Sequence, residues 1–148
     1  MRIRTLAFAA VLFAVATGAA LAADAGRDNY WPKGAKISIV SPKSGAKVTS
    51  PVTIVFGHKG LDLAPAGDKS PNSGHFHLLI DQGLPTDLSV PLPTTDHLLH
   101  YGKAQTEVTL DASKLPAGKH TLQLIMGDGS HVPHNPALVS KKITITVE

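Results

Sequence analysis

The sequence predicts an all-β chain, an immunoglobulin-like β-sandwich of about seven strands. Three observations carry that expectation. Apolar and polar residues alternate over short stretches, and clusters of Pro, Gly, Asp, Asn and Ser separate those stretches. Beyond residue 22, no segment sustains the 3.6-residue period of an amphipathic helix.

The elements follow in chain order. Ala35–Val40 places Ile37 and Ile39 on one face, and Ser41-Pro42-Lys43-Ser44-Gly45 turns the chain. Val52, Ile54 and Phe56 share a parity in the second strand, and a Gly/Pro/Asp/Ser-rich loop follows over 59–74. Phe76, Leu78 and Ile80 mark the third strand, and Val108 and Leu110 the fourth. Leu115-Pro116-Ala117-Gly118 is a tight turn into Lys119–Met126, where Leu122, Leu124 and Met126 alternate with polar neighbours. In Val139–Val147 the residues Ile143, Ile145 and Val147 face one way, and Thr144 and Thr146 the other.

The domain plan is simple. Residues 1–22 read as a cleavable signal peptide: Arg2 and Arg4 open it, Leu6–Val15 is an apolar run too short to span a bilayer, and Ala20-Leu21-Ala22 is a small-x-small cleavage site. Residues 23–34 form a polar lead-in with Tyr30 and Trp31, expected to drape over the domain rather than join its core. Residues 35–148 form a single β-sandwich domain. The expected destination is the periplasm, with no membrane span in the mature chain.

Bulk properties exclude several classes. Removing Arg2 and Arg4 takes the formal charge from +3 to +1, and no Lys/Arg cluster is interleaved with aromatics, so nucleic acid is not an expected partner. With no cysteine there is neither a disulfide nor a lipoprotein anchor, and stability rests on packing or on a bound ion. No phosphate-cradling glycine loop and no nucleophile elbow is present.

Chemistry concentrates in the eight histidines. Six form short-spaced pairs: His75 and His77, His97 and His100, His131 and His134. Imidazole is the commonest protein ligand for zinc and copper. His75 and His77 lie on the strand face opposite Phe76, Leu78 and Ile80, with bases roughly 6–7 Å apart, so two rings can bend toward one ion. On that parity they occupy an exposed face. Pro133 and Pro136 stiffen the loop carrying His131 and His134. Of the pair in the loop before Gln105, His100 is the better ligand candidate. His58 and His120 continue the core parity of their strands and read as structural rim residues. Asp81, Asp96, Glu107 and Asp128 are candidates to ligate an ion or orient imidazoles.

Gly74-His75-Phe76-His77-Leu78-Leu79-Ile80-Asp81 resembles the bacterial domain-of-unknown-function 4399 family. So do the segments 100–107, 116–124 and Gly127-Asp128-Gly129-Ser130-His131-Val132-Pro133-His134, with Ser50-Pro51-Val52, Phe56-Gly57 and Ala64-Pro65-Ala66-Gly67 upstream. The resemblance implies a small exported domain and supplies no established activity. This chain has Phe76 where the family pattern often has a third histidine, and Ala104 where it has a glycine.

The leading expectation is a periplasmic metal-binding protein that handles or delivers Cu(II) or Zn(II). Its ligands would come from His75, His77, His100, His131 and His134, with three or four bound at once. Without cysteine, and with Met126 the only methionine beyond the signal, a soft Cu(I) site is disfavoured. One alternative is an immunoglobulin-like interaction module with a periplasmic protein partner and structural or pH-sensing histidines. Another is a histidine-ligated metalloenzyme. Handling of the ion ranks above catalysis because the sequence shows no clear general base beside the histidine cluster.

Overall fold

The computed structural model describes residues 28–148. The expected signal peptide and the start of the lead-in lie outside the described residues. Within them, nine β-segments occur and no helix: β1 (Lys36–Ser41), β2 (Lys47–Val48), β3 (Val52–Lys59), β4 (Asp62–Leu63), β5 (Ser73–Ile80), β6 (Leu98–Tyr101), β7 (Glu107–Leu110), β8 (Gly118–Gly127) and β9 (Ile143–Val147). Among the described residues no helix is long and apolar enough to cross a membrane.

The segments form two sheets. The smaller has the order β1-β3-β7, and the larger the order β2-β9-β8-β5-β4, with β6 also paired to β5. Alternation drives the stacking, because each strand carries one apolar stripe that must leave water. Ile37, Ile39, Val52, Ile54 and Phe56 from the smaller sheet meet Phe76, Leu78, Leu122, Leu124, Met126 and Ile145 from the larger. The chain is an all-β sandwich.

Strand positions follow the sequence expectation at β1, β3, β5, β7 and β8 and in part at β9, whereas β2, the short β4 inside the 59–74 loop, and β6 are additional to it. Leu98–Tyr101, read as loop, is a strand that pairs with β5. The last strand begins at Ile143 rather than Val139, although Val139 makes an isolated bridge to Ile125. Trp31 is 9% exposed and belongs to the main core, so this part of the lead-in is structural rather than draped. Its indole Nε1 donates to the Pro133 carbonyl at 2.7 Å, which satisfies the one polar atom that burial would strand.

The largest departure concerns β5. All eight of its residues are buried. Parity does put His75, His77 and Leu79 opposite the main core, yet that face is not exposed. A second apolar cluster of Leu79, Leu92, Leu98 and Ile125, flanked by Leu88, Ala137 and Val139, covers part of it. The expectation of a surface histidine pair is therefore corrected: the pair is interior, because the loops over 81–97 and 128–139 fold back across the sheet.

Ala104, in the loop after β6, has φ 57°. That left-handed backbone favours glycine, which accounts physically for the glycine of the family pattern at this position.

Candidate metal centre

Four histidines converge on the covered face of the larger sheet. His75 and His77 are two residues apart on β5 and therefore share a face. His100 on β6 lies directly opposite His77 in the ladder. His131 arrives from the loop after β8. That loop leaves the sheet at Gly127, the ladder partner of His75, so a short excursion returns it over His75.

The loop is closed by its own aspartate. Asp128 Oδ1 accepts from the backbone N–H groups of Ser130 and Val132, each at 2.8 Å. The His131 N–H donates to the Asp128 carbonyl at 2.8 Å, and the His131 carbonyl accepts from Leu92 N–H at 2.9 Å. These bonds hold His131 at φ 68°, a conformation that few non-glycine residues adopt.

The rings are close enough to share one ion. Their centroids are separated by 4.7 Å (His100 and His131) to 5.8 Å (His77 and His131). One nitrogen from each of the four lies within 4.8 Å of the others. The Nε2 atoms of His100 and His131 are 3.1 Å apart. Four ligands placed tetrahedrally at 2.0–2.1 Å from zinc would be about 3.3–3.4 Å from one another. The gap between these figures is small for rings that swing about two side-chain torsions.

Electrostatics keep the donors in the ligating form. Burial lowers His75 to about 4, with further depression from the charges of His100 and His131. Burial lowers His77 to about 3, and its three histidine neighbours add to the effect. His100 is also lowered, by burial and then by His131. Neutral imidazoles carry a free lone pair, which an ion requires.

The most telling feature is a shortage of partners. Both ring nitrogens of His75 and both of His77 are fully buried and make no hydrogen bond. A neutral imidazole has one N–H and one lone pair, and leaving either unmet in the interior costs about 1–3 kcal/mol. Buried polar groups are otherwise almost always satisfied. Leu or Phe would fill this space at lower cost.

Two glycines leave room for the rings: Gly102 lies two residues from His100 in sequence, whereas Gly127 meets His77 only through the fold. A Cβ on Gly127 would lie 2.8 Å from Cε1 of His77. A Cβ on Gly102 would lie 2.5 Å from Nε2 of His100, the atom that faces His131. Gly102→Ala should therefore leave the sandwich intact but displace the His100 ring. The expected result is a loss of Zn(II) affinity of about tenfold or more by calorimetry, on the scale of disrupting a ligand's supporting contacts. Unchanged affinity would mean that His100 is not a ligand.

The remaining histidines occupy other settings. His134, included in the expected ligand pool, stands apart from the four: Nδ1 is hydrogen-bonded to Asp28 Oδ2, and Nε2 lies 3.0 Å from Asp128 Oδ2. His120 bonds Asp81 at 2.6 Å and the Pro116 carbonyl at 2.8 Å. Burial pulls His120 down, but those bonds outweigh it and raise the ring above its ordinary value. His97 Nδ1 is 3.1 Å from the Ile80 carbonyl, and His58 Nδ1 is 3.3 Å from that of Leu61. Of the four acids singled out in the sequence, Asp128 shapes the loop of His131, Asp81 serves His120, and Asp96 pairs with Lys114 at 2.6 Å. Glu107 lies on β7, in the other sheet.

The four converging residues fall within the stretch that matches a known family. Residues 54–148 match the family model described as domain of unknown function (DUF4399). No curated protein and no solved structure matches the chain. That match runs from within β3 to β9 and takes in strands of both sheets and every histidine of the cluster, and the chain belongs to the DUF4399 family.

Proposed function

We propose that the protein binds a single Cu(II) or Zn(II) ion through His75, His77, His100 and His131, and that it handles or delivers that ion in the periplasm. The observation that carries this reading is the set of four buried, unpartnered ring nitrogens on His75 and His77. An ion gives the buried lone pairs the partner they otherwise lack.

The donor set supports a borderline, imidazole-preferring cation. The chain has no cysteine, and the thioether of Met126 is committed to the apolar core on the other face of the sheet. That leaves no soft donor for a Cu(I) site, whereas imidazoles suit Cu(II) and Zn(II), with copper favoured by the usual affinity order. Handling is favoured over turnover because the adjacent carboxylate, Asp128, is engaged on the loop and on His134 rather than free as a base. Periplasmic placement rests on the signal-like start of the sequence.

Isothermal titration of the protein beginning near Ala23 should give saturable binding of one Cu(II) or Zn(II) per chain, lost in His75→Ala. Binding no tighter than that of a generic surface histidine pair would sink the proposal.

A further inference from the structure

We infer that residues 28–31 form a strap that positions His131 relative to His75, with His134 as its buckle. The inference rests on the metal-binding reading and assigns a positioning role to residues that do not touch the ion.

The strap ties together the two arms of the site. On one side it grips the loop that carries His131. Asp28 Oδ2 accepts from His134 Nδ1, and Asp28 Oδ1 accepts from the Asn135 N–H at 3.2 Å. The Asp28 N–H donates to the Asn135 carbonyl at 2.8 Å, and the Trp31 indole donates to the Pro133 carbonyl at 2.7 Å. The Tyr30 ring stacks on His134 with centroids 3.9 Å apart and planes 3° from parallel. On the other side the strap meets the start of β5. The Tyr30 hydroxyl donates to the Ser73 carbonyl at 3.4 Å, and a Cβ on Gly74 would lie 2.9 Å from the Trp31 ring.

His134 links this strap to the loop's internal frame. Its Nε2 reaches Asp128 Oδ2, while the other oxygen of the same carboxylate holds the N–H groups of Ser130 and Val132 on either side of His131. A continuous chain of contacts therefore runs from Gly74 through Trp31, Tyr30, His134 and Asp128 to His131, with the long Tyr30–Ser73 bond beside it. The two ends of that chain adjoin ligands whose rings are 4.9 Å apart. Loops relax on their own, and a ligand placed on one needs such support to hold its distance. Burial pulls the Asp28 carboxyl upward, but its bonds to His134, Tyr30 and Asn135 outweigh this and hold it below its usual range.

The test compares Tyr30→Ala with Tyr30→Phe, which keeps the stack and loses only the long bond to Ser73. Zn(II)-loaded protein is mixed with excess EDTA, and release is followed in time. Tyr30→Ala should release zinc about tenfold faster than the parent, and Tyr30→Phe at the parent's rate. In metal-free protein, the NMR cross-relaxation between the His75 and His131 rings, 4.9 Å apart, should be lost in Tyr30→Ala and kept in Tyr30→Phe. Should Tyr30→Ala fail to fold, Asp28→Asn carries the same comparison, with a smaller increase in release. Equal release rates and an unchanged ring contact overturn the inference. If the parent binds no zinc while Tyr30→Ala still loses the ring contact, the metal reading falls and the positioning role stands.

Discussion

His77→Leu should make the metal-free protein more stable while disabling the proposed metal site. His77 is fully buried with neither ring nitrogen partnered, so an apolar side chain of similar volume removes an unmet polar group without opening a cavity. The expected gain is about 1–3 kcal/mol in urea unfolding of the apo protein. Affinity for Zn(II) should fall by about a hundredfold or more, since even supporting residues of metal sites are worth 10–100-fold. A residue kept for packing gives the opposite result, a less stable variant with binding unchanged. Stability surrendered at a functional position is the common signature of a site held against the preference of the core.

The second large effect is a pH dependence with a definite sign. His75 and His77 sit at about 4 and about 3 in the folded chain, against 6.5 for an exposed imidazole. The unfolded chain therefore binds more protons than the folded chain as pH falls below 6.5. The stability these groups permit is complete above that value and drains away toward pH 4 and 3. Each buried ring contributes a slope of up to about 1.4 kcal/mol per pH unit in that window. Urea midpoints at pH 7.5, 6 and 5 should fall steadily for the parent and about half as steeply for His77→Leu, which keeps His75. Zinc bound to the neutral rings should raise the midpoint at pH 7.5, by about 4 kcal/mol when free zinc is 1,000 times Kd, and less at pH 5. A flat profile in the parent would mean that the two rings are open to water.

The sequence carried the face of His75 and His77 but not its burial. Alternation in β5 sorts residues into two sets, and the set that includes Leu79 was itself part polar and part apolar. The unbroken run Leu78-Leu79-Ile80 was the available sign of a strand covered on both sides. What covers it are loops, and loops have no period to read. The same reason hid β6: Leu98 and Leu99 are adjacent apolar residues on a strand of four, too short to establish alternation. Spacing could pair His131 with His134 but could not orient them, because both take positive φ, at 68° and 65°. Trp31, a single aromatic in a polar stretch, gave no pattern to place it in the core. Strand parity suggested structural roles for His58 and His120; His120 is buried and bonds a carbonyl, whereas His58 is exposed and makes one bond of 3.3 Å.

Under the proposed metal reading, the double burial of β5 would also set the direction of traffic through the site. His77 lies in ladders to both β8 and β6 and His75 in the ladder to β8, so neither can retreat without breaking strand pairing. His100 and His131 are only partly buried, and His131 hangs on a loop. The centre thus has a fixed floor and a movable door. An ion would arrive and depart past the His100–His131 edge, and a recipient could take it by replacing those two ligands in turn while the floor keeps its grip until last.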